Sequence, residues 1–546
     1  LNQIGGEGVD HALSAALQQT PAHPSGRRGG EACCHVQRRS RTVTATLWID
    51  VEDLFEYALH YSRPSGIQRL AFQLYRSLHV QLGDSGLVRF VRHNTARNTF
   101  YIVAWTEVAA VFDHLAGGKQ PSPIQSSQVQ WEAAPAHTRP RRFLRGLLHR
   151  LSPALRASLI KALRLQGLAL HAWWQFVRAT VRTALSAVMR LATSGRPDAD
   201  RGDFAGQTNR GDFILALGSH WSHPEYAKLI RAQRERHGLR FGLLVYDLVT
   251  VRCPEWCERD LAHAFRTWFD DLLPLCDAVF AISQATAVDV TAYARDLGVT
   301  LPGPVIPLPL GTSLSSDIPD GDITGTERQP RPGSYVLFVS TIEARKNHLL
   351  VFRIWRRMLD EMPRDQVPTL VFAGRVGWLV NDLMQQIINT DYLSGRLVLI
   401  EDASDTEIAS LYRGCLFTVY PSFFEGWGLP VTESLAFGKP CLISDRTSLP
   451  EAGGNLARYI DPDDLHGSYA TIRQTLEDRA RLAAWEAQIR REFKPVPWSA
   501  TVDALLGGLR HPLGGEPEIP PTQVPTERAP QKSRLAGLLP LTEGSA

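Results

Sequence analysis

The stretch YPSFFEGWGLPVTESLAFGKP, residues 420–440, follows the apolar run LFTVY (416–420) and passes through a glycine-rich turn into a helical pattern. In a parallel α/β sheet, ligands sit beyond the carboxyl ends of the strands, so this turn faces a binding crevice. Glu425 and Glu433 are separated by the seven residues GWGLPVT. Gly426 and Gly428 permit close approach of backbone to ligand, and Pro430 suits a first helical turn. The spacing leaves Glu425 on the loop and Glu433 about one turn into the helix, so the two carboxylates address different parts of one elongated ligand. Carboxylates accept from hydroxyls, which suits a sugar at one end and a ribose at the other. The helix N-terminus between them suits a diphosphate.

Outward from this stretch, short β-branched runs alternate with longer helical periods, the pattern of βαβ units and parallel sheets. One set comprises TLWIDV (46–51), GLVRFVRH (86–93), FILALG (213–218), RFGLLVYD (240–247) and AVFAIS (278–283). A second comprises YVLFVS (335–340), TLVFAG (369–374), RLVLI (396–400), LFTVY (416–420) and PCLIS (440–444). The Gly-, Pro-, Ser- and Asp-rich residues 311–334 between them read as a linker. The expected architecture is two doubly wound α/β domains, 43–310 and 335–490, followed by a helix over 491–511. Residues 1–42, without period, and 512–546, with seven prolines in 35 residues, read as a disordered leader and a disordered tail.

The 546 residues are 44% hydrophobic and 21% charged, which excludes collagen-like and wholly disordered classes. The net charge of +3 is too small for the whole surface to act as a polyelectrolyte receptor. It is unevenly spread, however. Residues 133–197 hold no acid but twelve bases, from Arg139 to Arg196, and removing these from +3 leaves −9 for the rest. Apolar residues such as Leu155, Leu159, Trp173 and Val177 gather on one side of a helical wheel and bases on the other, giving a basic amphipathic helical insertion. Every apolar run in it is too short to span a bilayer core, so the expected partner of 139–196 is an anionic membrane surface. The alternative is a packed hairpin with solvated arginines; no recognisable nucleic-acid module is present. The seven cysteines (Cys33, Cys34, Cys253, Cys257, Cys276, Cys415 and Cys441) lack the spacing of a disulfide framework. The start LNQIGGEGVD has no basic n-region ahead of an apolar segment. Both features lead to the expectation of a cytoplasmic protein, peripheral on the inner face of the membrane.

Other chemistry-bearing residues cluster after the strands of the second set. TIEARKN places Arg345 and Lys346 at the start of a helix, where cations and free N–H groups hold phosphate together. Arg375 follows TLVFAG. The pair Cys253 and Cys257 lacks a second pair for zinc, and DPDD (461–464) reads as a turn, so no metal is expected.

EGWGLPVTE resembles the E-x7-E signature of the retaining GT-B glycosyltransferases of family 4. The resemblance runs in order through FVSTIEARKN, VFAGRVGW, YPSFFEGWGLPVTESLAFGKP and SDRTSLPEAGG, and more loosely through WIDV, SGIQRL, VYDLVTVRCPEW and DAVFAISQAT. It implies two Rossmann-like domains facing a central cleft and metal-independent transfer without a cofactor. It implies further that Glu425, Lys346 and Asp247 are the catalytic set, Glu425 meeting the donor sugar. Glu433 would bind the nucleotide ribose, and Lys346 with Arg345 would neutralise the diphosphate. Gly426, Trp427, Gly428, Leu429 and Arg375 would line the donor, with Gly66 approaching the phosphates from across the cleft. Two positions depart from the family pattern: Tyr246 precedes Asp247 where many members carry His, and Ser340 and Thr341 stand near where many carry Arg, a gap that Arg375 is placed to fill. The function implied is transfer of a hexose or deoxyhexose, mannose first because IEARKN and AGRVGW resemble mannosyltransferase-like members, from a nucleotide-sugar to a surface polysaccharide, lipopolysaccharide or lipid-linked glycan. The alternatives are a sugar phosphorylase or synthase on the same scaffold, and a membrane-bound scaffold with a degenerate transferase domain.

Overall fold

In a computed structural model of the chain, residues 45–116, 203–312 and 329–510 are described, except 62, 96 and 224. The leader 1–42, the basic segment 133–197, most of the linker 311–334 and the tail 512–546 lie outside the described residues.

The first domain is built on β1 (Leu47–Asp50), β2 (Val88–Asn94), β3 (Thr99–Val103), β4 (Phe213–Ala216), β5 (Arg240–Val245), β6 (Ala278–Ala281) and β7 (Ile306–Pro307). They form one sheet in the order β3-β2-β1-β4-β5-β6-β7, parallel except for the β2–β3 hairpin. Both faces are covered, which is why the central strands are largely apolar, with Asp50 and Arg240 at the ends of β1 and β5 as exceptions. Leu47 and Ile49 enter the core on one face, while Trp48 enters that on the other.

The second domain repeats the plan with β8 (Tyr335–Val339), β9 (Thr369–Ala373), β10 (Leu397–Ile400), β11 (Thr418–Tyr420), β12 (Cys441–Ser444) and β13 (Arg458–Ile460). The order is β10-β9-β8-β11-β12-β13, all parallel, the doubly wound arrangement in which strand order reverses beside the first strand. Val336 and Phe338 pack to one side, Tyr335 and Leu337 to the other. The ligand-facing crevice therefore lies at the ends of β8 and β11, where the sequence places its charged loops.

The helices that bear on the site are α1 (Glu52–His60), α2 (Gly66–Leu82), α3 (Arg259–Leu272), α4 (Gln284–Asp296), α5 (His348–Glu361), α6 (Asp405–Gly414), α7 (Leu429–Ala436) and α8 (Trp498–Arg510). The last of these follows the second domain in sequence but packs on the first. Val502, Leu505, Leu506 and Leu509 are buried among Leu74, Leu78 and Phe280, and Thr501 Oγ1 donates to the Pro309 carbonyl at 2.6 Å. Each such aliphatic side chain contributes about 1.5–3 kcal/mol on burial, so α8 ties the ends of the two-domain unit together.

The strands β3, β7 and β13 are additions to the sets read from sequence. All three are edge or near-edge strands, short and partly exposed, and their apolar signal is correspondingly weak.

Candidate active site

Arg345 and Lys346 lie in a tight 3-10 turn, Ala344–Lys346, ahead of α5 rather than within its first turn. Asn347, left-handed with φ 62°, reverses the chain between them and donates to the Pro462 carbonyl at 3.0 Å, which fixes the turn. Lys346 Nζ lies 2.6 Å from both carboxylate oxygens of Glu425. Arg345 donates to Glu425 Oε2 at 3.0 Å, to the Phe424 carbonyl at 2.9 Å and to Glu343 Oε2 at 3.0 Å. The Glu425 backbone is held as well, its N–H by Thr447 Oγ1 at 3.0 Å and its carbonyl by Ser448 Oγ at 2.8 Å. Burial alone would raise the Glu425 pKa, but the charges of Lys346 and Arg345 outweigh it and hold the carboxyl at about 2. Glu425 is thus a permanent anion at neutral pH and cannot donate a proton; it can orient hydroxyls and face developing positive charge.

Glu433 stands in the opposite condition. Gly428, with φ 107°, lets the chain turn into α7, and Glu433 is buried on its first turns. Its Oε2 accepts from the Tyr412 hydroxyl at 3.0 Å. Burial pushes its pKa up to about 7, opposed by the Arg69 charge and the Tyr412 hydrogen bond. Arg69 itself comes from α2 of the first domain and forms a two-pronged pair with Asp405, at 2.6 and 2.5 Å.

The first domain faces these groups with the N-terminus of α2. Ser65 caps it, and a side chain on Gly66 would come 3.6 Å from Leu429, so the starts of α2 and α7 confront each other across the cleft. Asp247 lies at the end of β5, where its Oδ1 accepts from the Val249 N–H at 3.1 Å, the turn-capping role open to such an aspartate. The Tyr246 side chain points away, its hydroxyl donating to the Leu217 carbonyl at 2.6 Å, so it does not stand where a cleft-facing His would.

Three residues expected to line the donor make contacts within the protein as well. A Cβ on Gly426 would fall 2.1 Å from the Tyr246 carbonyl oxygen, so this glycine allows the two domains' backbones to meet, where sequence reading assigned it to a ligand. Trp427 packs against the cores of both domains, and the Ser448 hydroxyl donates to its carbonyl at 3.0 Å. Arg375 stacks over the Tyr61 ring, 4.9 Å from its centroid, and is drawn to the end of α1. Its carbonyl accepts from the Ile342 N–H at 2.9 Å, close in the chain to Arg345 and Lys346.

Sequence reading also missed Glu451. Its two carboxylate oxygens each accept at 2.7 Å from the Gln284 and Ala285 N–H groups, so the second domain caps α4 of the first. The signal was present in SLPEAGG, but a glutamate beside a turn has no local mark of a partner in another domain.

Among the described residues, Asp50, His93 and His220 bring potential metal-ligating atoms within 4.8 Å of one another. The Asp50 carboxylate is already engaged by His93 Nε2 and the Tyr226 hydroxyl, each at 2.7 Å, and by the Glu52 N–H at 3.1 Å. Burial would lower the His220 pKa, yet the charge of Asp50 raises it to about 9, so the cluster reads as a buried ion pair under the end of β1. Burial also pushes the Cys253 and Cys257 thiols up to about 11, which disfavours the thiolates that zinc requires.

Residues 326–492 match the family described as Glycosyl transferases group 1. Over 144 residues the chain is 33% identical to the O-antigen chain mannosyltransferase B of Escherichia coli, covering 26% of this chain and 37% of that one. It is 24% identical over 276 residues to the serotype-specific mannosyltransferase WbdA of Escherichia coli, covering 49% and 33%. The chain thus spans about a third of the length of these curated relatives. A solved structure of Anabaena HepE in complex with UDP is 17% identical, with 55% of this chain and 78% of that one covered and a TM-score of 0.40.

Proposed function

We propose that this chain, whose second domain is a glycosyl transferases group 1 domain, transfers a hexosyl or deoxyhexosyl group from a nucleotide-sugar to a glycan acceptor, with retention at the anomeric carbon. The observation that carries the reading is the Arg345–Lys346–Glu425 cluster beside the N-terminus of α7, with Glu433 one turn further along. Departure of a nucleoside diphosphate builds negative charge on a phosphate oxygen. Two fixed cations and helix N–H groups supply complementary charge without reorganisation, which supports metal-independent transfer. Glu425, held anionic, suits the sugar hydroxyls, and Glu433 suits the ribose. Asp247, across the cleft, is the candidate for assisting the acceptor hydroxyl.

Mannose is the favoured sugar because two of the relatives are O-antigen or serotype-specific mannosyltransferases. The acceptor we favour is a surface polysaccharide or lipid-linked glycan, presented where the protein sits peripherally on the inner face of a membrane. No helix among the described residues is long and apolar enough to cross a membrane. The acid-free segment 139–196 is the feature of the sequence that supports surface attachment.

A screen of nucleotide-sugars for hydrolysis and transfer, with product anomers read by NMR, tests the proposal. Turnover of one nucleotide-sugar with a retained anomer, insensitive to chelator, is expected; inversion, or full loss on chelation, overturns it. For attachment, sedimentation with anionic liposomes should weaken as salt shortens the Debye length from about 10 Å at 0.1 M to about 3 Å at 1 M. Binding that ignores both salt and lipid charge removes the membrane assignment.

A further inference from the structure

The first domain also reverses its strand order, between β1 and β4, and buried polar groups gather at the carboxyl ends of those two strands. His220, on the segment after β4, places Nε2 3.3 Å from Asp50 Oδ1 and 4.0 Å from Asp53 Oδ1, so two carboxylates bracket the imidazole. Asp53, 4% exposed in the first turn of α1, accepts from the Tyr75 hydroxyl at 3.3 Å on Oδ1 and from the Ser219 N–H at 2.9 Å on Oδ2. A Cβ on Gly218 would fall 2.1 Å from an Asp53 carboxylate oxygen, so the backbone lies against this carboxylate only because residue 218 is glycine.

From Asp53 a chain of hydrogen bonds runs outward to the cleft. The Ser219 hydroxyl donates to Asp53 Oδ2 at 3.4 Å and accepts from Gln68 Nε2 at 3.0 Å. The Gln68 side-chain carbonyl accepts from the Ser65 hydroxyl, and Ser65 Oγ accepts from the Ile67 N–H at 3.2 Å, capping α2. The direction is set from the inside, because a carboxylate only accepts: the Ser219 proton turns to Asp53, its lone pair takes the Gln68 amide, and the Gln68 carbonyl is left for Ser65. Gln68 is 3% exposed, so no water replaces either of its partners cheaply. The outer end of the chain lies at the site. Ile67 lines the same cavity as Asp247 and Arg345, and Gly66 faces Leu429 at the start of α7.

We propose that Gln68 and Ser219 are positioning residues, which carry the rigidity of the Asp50–His220–Asp53 cluster to the first turn of α2 and so fix its N–H groups against the start of α7. The reaction they position rests on the transferase reading above. Neither residue meets the donor in this role; each acts through Ser65 and the backbone of α2. Reacting groups displaced by about 1 Å can lose about a hundredfold in rate, so slack in this turn is felt at the anomeric carbon. The grip on the donor stays with Arg345, Lys346 and Glu433 of the second domain, so breaking the chain should slow turnover more than it weakens binding.

The test uses the full chain and the nucleotide-sugar selected by the screen. Ser219→Ala, which breaks the chain at its middle, should lower kcat about tenfold with KM within about twofold of wild type, and Ser219→Thr, which restores the hydroxyl, should recover most of the loss. Gln68→Met should match Ser219→Ala, and the double variant should be no slower than Gln68→Met alone, since links of one chain fail together. Amide hydrogen exchange over residues 66–70 gives a readout that needs no turnover: it should quicken about tenfold in Ser219→Ala and stay unchanged over α7. Losses that multiply in the double variant, a KM that rises as kcat falls, no recovery in Ser219→Thr, or unchanged exchange over 66–70 would overturn the assignment. A wild type that turns over no nucleotide-sugar would sink the transferase reading, and the exchange measurement then decides by itself whether the chain anchors α2. Thermal melting checks folding, and should Ser219→Ala fail to fold, Gln68→Met takes its place in both the kinetics and the exchange.

Discussion

The two walls of the cleft share a strand order but not a chemistry. The second-domain wall concentrates charge, with Arg345 and Lys346 each within 3.0 Å of the Glu425 carboxylate. The first-domain wall is aromatic, built from Trp221, Phe265 and Trp268, with isolated polar atoms. A doubly wound sheet delivers loops to one edge regardless of their content, so the contrast lies in the loops.

The sharpest way to break this contrast is to discharge the second wall. Lys346→Ala should lower transfer on the order of a hundredfold, the scale of losing one electrostatic donor to a transition state. Steady-state rates on the selected nucleotide-sugar check it, and a variant within threefold of wild type would show that the charge belongs elsewhere.

Glu433 gives the next largest effect, with opposite signs for stability and binding. Its folded pKa, about 7, lies above its ordinary value of 4.5. The folded chain therefore binds the extra proton between those values, and stability falls as pH rises from about 4.5 to 7, staying lower above. Glu433→Gln should raise stability at pH 8 by about 1–2 kcal/mol and leave it unchanged at pH 4, while weakening nucleotide binding about tenfold. Melting curves at the two pH values and calorimetric titration separate the two signs.

Gly426→Ala acts where the walls touch, since its methyl would meet the Tyr246 carbonyl oxygen at 2.1 Å. The cheapest relief is to part the domains. A larger radius of gyration by X-ray scattering and about a tenfold loss of transfer are expected, with nucleotide binding to the second domain retained. Smallest is Asp405→Asn, which removes the charge partner of Arg69 where both side chains are partly exposed, 25% and 35%. Such a pair contributes below about 1 kcal/mol, so a change in transfer of two- to threefold at most is expected.

Much of the second wall was legible in sequence because its parts are close in the chain. Arg345 and Lys346 are adjacent, and Glu425 and Glu433 are one short turn apart. The first wall was not. Trp221, Thr250 and Trp268 come from three separate segments, and nothing in the local period of any one marks a shared cavity. The same holds for Glu451 on the N-terminus of α4, 167 residues away, and for Tyr246, whose side chain the sequence would leave beside Asp247 at the cleft but which turns to Leu217. Gly426 was identified as a point of close approach, but what approaches it is another backbone.

The sequence by itself determined the alternation of strands and helices, the repeated parallel sheet and the placement of Glu425, Lys346 and Arg345 at strand ends. These follow from side-chain period and from sterics between near neighbours, which act over a few residues. Only the tertiary structure decided that Glu425 sits at a pKa of about 2 and Glu433 at about 7, that α8 returns to the first domain, and that an aromatic cavity opens beside the charges. Ionisation and burial depend on everything within several ångströms, and here that includes groups as far apart in the chain as Arg69 and Asp405, 336 residues.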